Sequence, residues 1–157
     1  MLYERKFALV PIAFVDDAAR AVYEEHGVPA HATEGSAGVD LRATEDGVIY
    51  SGKTVIVPTG VRVACPAGTE LQIRPRSGLA AKHGITVLNS PGTIDSDYRG
   101  EIKVILTNLS SGKFEYKAGE RVCQAVLAPY YQCQYIEDPD SLDDTDRGEG
   151  GFGSTGA

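Results

Sequence analysis

The residues best equipped for chemistry lie in Asn89-Ser-Pro-Gly-Thr-Ile-Asp-Ser-Asp-Tyr-Arg-Gly-Glu-Ile102, where two carboxylates, Asp95 and Asp97, flank a turn leading to Tyr98. A carboxylate facing a bound water can act as general base for attack on phosphorus. Only one of the pair is expected to serve as that base. Upstream, Arg74-Pro-Arg-Ser-Gly78 sets arginine, a hydroxyl and a glycine-freed backbone N–H in sequence, a combination that cradles phosphate. In Ala37-Gly-Val-Asp-Leu-Arg-Ala43, Asp40 lies on the strand face opposite Val39 and Leu41. Gln124 is a polar residue in the otherwise apolar stretch of Gly119-Glu-Arg-Val-Cys-Gln-Ala-Val-Leu127. The fifth cluster, Arg147-Gly-Glu-Gly-Gly-Phe-Gly-Ser-Thr-Gly156, has five glycines in ten residues and little to pack into a core. It nevertheless carries an arginine, an aromatic ring and a Ser-Thr pair, groups that hold phosphates and stack on a base.

On pattern alone, each cluster also has a purely structural reading. Asp40 reads as a solvated strand aspartate and residues 74–78 as a β-turn. Asp-Ser-Asp reads as hydrogen-bonding groups of a hairpin. Gln124 reads as a satisfied core or edge amide, and the glycine-rich tail as a frayed terminus.

The bulk properties narrow the choice. A chain of 157 residues with 42% hydrophobic content suits one domain with a real core. Its formal charge of −7 disfavours a nucleic-acid polymer as partner but leaves room for a small anion held by local arginines. Cys65, Cys123 and Cys133 are odd in number and widely spaced, which argues against a disulfide framework and a zinc site and favours reduced, partly buried thiols. His26, His31 and His83 lack metal-ligand spacing and suit surface or turn positions. A P-loop and a Gly-x-Ser-x-Gly elbow are both missing. No apolar run approaches the ~20 residues of a membrane span, and Glu4 with Asp16-Asp17 breaks any signal-peptide pattern, so the expected location is cytoplasmic, away from membranes.

Positioning the clusters falls to short alternating segments. Residues 39–43, 54–57, 61–63, 70–74, 101–107 and 121–127 suit strands, and Gly and Pro separate them. Eighteen glycines support a turn-rich all-β fold, a β-barrel or jelly roll. One segment departs from this pattern: Asp16 can cap a peripheral helix through Asp17–His26, ended by Gly27, with Ala18, Ala19, Val22 and Tyr23 on one face. Residues 79–83 could add one helical turn. A single domain over 1–157 is expected, with the barrel over about 1–136, the helical insertion near 16–26 and a flexible C-terminal arm from 137 to 157.

Taken together and in order, the five clusters resemble the five motifs of the trimeric dUTPase family, from about Val28 to the C-terminus. The resemblance implies a jelly-roll β-barrel working as a homotrimer, with three active sites built where subunits meet. It implies Mg-assisted hydrolysis of dUTP to dUMP and pyrophosphate, which limits uracil incorporation into DNA and supplies dUMP for dTMP synthesis. Asp95 would activate the attacking water, and Tyr98 would lie against the deoxyribose. Asn89, Gly92, Thr93 and Ile94 would read uracil, with Lys103 nearby. Arg76, Ser77, Gly78 and Gln124 would grip the phosphates. Asp40 would meet Mg²⁺ through its water shell, the ion being held mainly by the triphosphate. Arg147, Phe152, Gly153, Ser154 and Thr155 would fold over the substrate of a site formed by other subunits. The Asp16–His26 insertion, and His31 where the family often has tyrosine, depart from the pattern. A dCTP deaminase of the same fold, or a nucleotide-responsive structural or regulatory trimer, is the alternative reading.

Overall fold

Apolar residues at every second position become short antiparallel strands in the computed structural model, which describes residues 8–138 and 142–151. In chain order these are β1 (Ile12–Phe14), α1 (Asp17–His26), β2 (Val39–Arg42), β3 (Gly47–Ile49), β4 (Thr54–Pro58), β5 (Val61–Val63), β6 (Thr69–Arg74), α2 (Ser77–His83), β7 (Ile85–Val87), β8 (Gly92–Ile94), β9 (Lys103–Asn108), β10 (Phe114–Tyr116) and β11 (Arg121–Pro129). They pair as β2-β11-β6-β8, β4-β9-β7, β1-β5 and β10-β3, a jelly-roll-like arrangement of antiparallel ladders. Leu71 and Ile73 of β6 point into the core while Glu70, Gln72 and Arg74 take the other face. From the second ladder Val57, Val104, Leu106, Ile85 and Val87 complete the apolar interior.

Two buried polar groups fix corners of this core. Asn108 donates through Nδ2 to the Ile49 carbonyl at 2.8 Å and to the Gly112 carbonyl at 2.7 Å, while its Oδ1 accepts from Ser110. Thr59 donates to the Ile102 carbonyl at 2.6 Å. Paired in this way, a buried polar side chain specifies its neighbours instead of destabilising them.

Helix α1 begins and ends where its capping residues dictate. Asp16 Oδ1 accepts from the Ala19 N–H at 2.8 Å, and Gly27 closes the helix at φ +90°. Ala19 and Tyr23 are buried, Val22 is half-buried, and Ala18 stays in solvent, so the apolar face is narrower than the four residues suggest. The Tyr23 hydroxyl accepts from the Arg42 N–H at 3.1 Å and donates to the Thr59 carbonyl at 3.0 Å. Burial pushes its phenol up to about 12. At Gly60 (φ +68°) a Cβ would stand 2.5 Å from that of Ala19, so only glycine admits the helix there.

The structure alters several sequence expectations. The turn expected at 79–83 is a helix that already starts at Ser77. Strands β1, β3, β7, β8 and β10, each three residues long, are additional to those read from alternation. Cys65 and Cys123 are buried, but Cys133 is exposed, because it follows the last strand on a segment outside the core.

Replacing Tyr23 by Phe keeps the ring and removes both hydrogen bonds from the phenol. Chemical denaturation should show a loss of about 1–3 kcal/mol. The folded-state pKa lies above the unfolded value, so the contribution is fully present below pH 10 and declines as pH rises toward 12. The gap between wild type and Tyr23→Phe should therefore shrink over that window. A gap below about 0.5 kcal/mol at neutral pH, the range of an ordinary surface change, would remove the phenol from the stabilising network.

Candidate functional site

The β2-β11-β6 ladder places Gln124 opposite Asp40 on one side and Arg74 on the other. Directly opposed residues of antiparallel strands share a face, so one polar row crosses the sheet. The solvated reading of Asp40 does not hold. Its Oδ1 accepts from Arg76 Nε at 3.0 Å and its Oδ2 from Arg121 Nη1 at 3.2 Å. Arg76 Nη1 also donates to the Arg121 carbonyl at 3.0 Å. One carboxylate therefore clamps two guanidiniums, leaving an excess positive charge at this edge.

Gln124 is held as firmly. Its Nε2 donates to the Pro75 carbonyl at 2.9 Å, and a Cβ on Gly38 would come within 2.5 Å of its Oε1. Gly38 thus leaves room for the Gln124 amide where it lies, and it joins the first motif to the fourth. Ser77 and Gly78 open α2 beside Arg76, where first-turn N–H groups lack intrahelical acceptors.

The hairpin residues approach from the other side of β6. Gly92 pairs with Ile73, Thr93 with Gln72 and Ile94 with Leu71. A Cβ on Gly92 would meet the Asn89 amide at 3.2 Å, so glycine lets that side chain lie against the strand backbone. Beyond β8 the chain does not stay extended. The Tyr98 N–H donates to the Asp95 carbonyl at 3.1 Å, closing a turn in which Asp95 and Asp97 are both exposed. The turn, not strand alternation, therefore sets where the two carboxylates lie. The Tyr98 hydroxyl donates to the Glu101 carbonyl at 3.0 Å, over Gly100, where any Cβ would strike the phenol. Lys103, on the returning strand, faces the Glu101 carboxylate at 3.5 Å.

Two adjoining grooves run along this surface. One, of about 440 Å³, is lined by Gln72, Arg74, Pro75, Ser77, Ser90, Pro91 and Gln124. The other, of about 360 Å³, includes Ala37, Gly38, Asp40, Arg74 and Gln124. The fold thus gathers Asp40, Arg76, Ser77 and Gln124, with the start of the hairpin at the groove wall. Arg147 stands apart, donating to the Gly150 carbonyl at 2.9 Å within its own turn. Phe152, Gly153, Ser154 and Thr155 lie outside the described residues. Arg121 and Gly38 went unread in the sequence as site-forming residues, and Arg74 was read only as part of the cluster 74–78. Alternation in Glu70-Leu-Gln-Ile-Arg74 was the available signal for Arg74, since it puts the arginine on the outward face.

No trio of His, Cys, Asp or Glu among the described residues could hold a metal. Asp40 is a lone carboxylate with both oxygens already bonded to arginine, so it fits the water shell of an ion carried by phosphates, not direct coordination.

A family model described as dUTPase matches residues 24–156. A deoxyuridine 5'-triphosphate nucleotidohydrolase of Nautilia profundicola is 56% identical over 133 residues, covering 85% of this chain and 93% of that protein. The crystal structure of a dUTPase from Streptococcus mutans superposes with a TM-score of 0.70 at 32% identity, over 79% of this chain and 98% of that one. A mutant dUTPase of Staphylococcus bacteriophage 80alpha, solved with dUpNHpp, shares the fold at a TM-score of 0.84 and 21% identity, over 96% of this chain and all of that one. With its motifs and ladders in this order, the chain belongs to the dUTPase family.

Proposed function

We propose that Asp95 holds and activates the attacking water in the reaction of this chain, the hydrolysis of dUTP to dUMP and pyrophosphate. The observation that carries the reading is the polar row Asp40–Gln124–Arg74, which brings the phosphate-gripping segment 75–78 beside the hairpin that bears Asp95. Asp95 takes the water's proton as its oxygen attacks the α-phosphorus in line. Arg76, Ser77 and Gly78 hold the phosphates, with Gln124 anchored beside them through Pro75, and a pre-set arginine steadies developing charge without reorganising. Mg²⁺, held mainly by the triphosphate and touched by Asp40 through water, neutralises part of the phosphate charge when bound.

Tyr98, fixed over Gly100, presents its ring to the deoxyribose where a 2′-hydroxyl would clash. Asn89 and the backbone at Gly92, Thr93 and Ile94 read the uracil edge, and Lys103 stands on the neighbouring strand. Arg147, Phe152, Gly153, Ser154 and Thr155 close over the substrate, excluding bulk water.

A homotrimer with shared sites is the assembly in which these parts work. Supporting it, β4-β9-β7 turns Ile56 and Leu88 outward, 63% and 60% exposed, on either side of Ile105. Beyond β11, Tyr131, Tyr135 and Ile136 also stand free of their own chain. Apolar surface on this scale marks association. No helix among the described residues is long and apolar enough to cross a membrane, and we place the protein in the cytoplasm.

Pyrophosphate release from dUTP by Asp95→Asn should fall about 10²–10⁴-fold, the usual cost of losing a general base, with substrate still bound. Turnover within about tenfold of wild type would exclude Asp95 as the base. Deleting residues 147–157 should leave thermal stability nearly unaltered and sharply reduce turnover. Mixing that deletion with Asp95→Asn chains should yield some trimers that pair an intact Asp95 with an intact arm. Their activity should exceed that of either parent. Mixtures no better than the parents, with subunit exchange verified, would leave each arm serving its own chain.

A further inference from the structure

Along the outer face of β6, Glu70, Gln72 and Arg74 form a ladder of side chains at every second residue. Gln72 Nε2 donates to Glu70 Oε1 at 2.7 Å. This orients the amide so that Gln72 Oε1 faces Arg74 and accepts from its Nε at 3.1 Å and from Nη2. The geometry is unusual for a surface arginine. Among the described residues the guanidinium bonds a neutral amide and no carboxylate, so it is held in place with its charge uncancelled.

Its position is equally specific. Arg74 and Gln124 are the two residues that border both grooves, and they are opposed in register. Arg76 and Arg121 spend part of their charge on Asp40. Arg74 adds the charge that this cluster lacks, at the junction that a chain of phosphates spanning both grooves must cross.

We propose that Arg74 is a further phosphate-binding residue of the dUTP site, held in place by Gln72, and that it selects the triphosphate over shorter nucleotides. This rests on the assignment of residues 76–78 and Gln124 to phosphate binding. An arginine donating to a phosphate makes a charge-assisted bond, and presentation by an amide keeps it available without the neutralisation a carboxylate would impose. Gln72 acts through Arg74 as a positioning residue.

The experiment is calorimetric titration of the full-length protein with a non-hydrolysable imido analogue of dUTP and, separately, with dUMP. It compares wild type, Arg74→Ala, Arg74→Lys, Gln72→Ala, the Gln72→Ala/Arg74→Ala pair and Arg76→Ala, with thermal melting as the check on folding. Arg74→Ala should weaken the analogue by about tenfold to a hundredfold, the worth of a hydrogen bond to a charged group, and change dUMP binding less than about twofold. Arg74→Lys should recover part of the loss. In steady-state pyrophosphate release from dUTP, Gln72→Ala should raise KM several-fold with kcat unchanged, and in the titrations it should add nothing further once Arg74 is alanine. Analogue binding by Arg74→Ala within about twofold of wild type, with Arg76→Ala strongly weakened, would overturn the role of Arg74 and leave the phosphate site standing. Equal weakening of dUMP and analogue would also overturn it, since selection by phosphate number would be gone. If Arg76→Ala too binds the analogue normally, the underlying phosphate-site assignment falls and Arg74 falls with it.

Discussion

The Asp40 carboxylate between Arg76 and Arg121 is the interaction on which the rest of the site depends. Two guanidiniums converging on a sheet edge repel, and solvent at the half-exposed Arg121 screens only part of that repulsion. Asp40 offsets that repulsion with bonds of 3.0 and 3.2 Å and is itself placed by the β2-β11 ladder. The cluster keeps one net positive charge and a fixed geometry. Arg76 is tied to a second strand through the Arg121 carbonyl. An arginine ordered before the ligand arrives gives up less entropy when it binds and needs less reorganisation as charge develops.

Local order of this kind lets an acidic protein take a polyanion. The chain carries 22 acidic against 15 basic residues, so its overall field does not draw in a triphosphate. In the site proposed for it, what draws it is a short arc of Arg74, Arg76 and Arg121, in which a single carboxylate, Asp40, stands against three guanidiniums. Much of the remaining acidity is spread over α1, the loops and the segment beyond β11, outside that arc. A diffuse negative field also disfavours nucleic-acid polymers, whose binding needs a continuous basic surface. The same charge distribution thus admits a small anion and refuses a long one.

How far the sequence disclosed this follows from the range of the interactions. Helix α1 was legible to the residue because its cap is a contact three residues long, from Asp16 to Ala19, and its stop is a glycine. The longer strands were legible from alternation, but β1, β3 and β10 are three residues each and contain less than two full periods. The motifs named the residues of the site, and the resemblance named their roles. Their mutual arrangement was out of reach: Asp40 meets partners 36 and 81 positions away. Nothing local distinguishes that aspartate from a solvated one. The turn at Asp95–Tyr98 escaped for a related reason, since Asp-Ser-Asp suits extended and turning backbone alike.

The site divides into a rigid half and an open half, and the division follows from how each is bonded. Gln124 and Asp40 sit on ladders with β11 hydrogen-bonded along both edges, Arg76 is tied to Asp40 and to the Arg121 carbonyl, and the missing Cβ of Gly38 leaves room for the Gln124 amide. Asp95 stands instead on a four-residue turn, exposed, with the Tyr98 hydroxyl bonded to the Glu101 carbonyl. A phosphate grip must be fixed before binding, because its worth lies in not reorganising. A base that must meet both a water and an incoming nucleotide needs access first and exclusion of solvent afterwards. An exposed turn supplies the access that the role proposed for Asp95 requires. Rigidity at the phosphates and openness at the base are thus two consequences of one topology, with β11 at its centre and the hairpin at its margin.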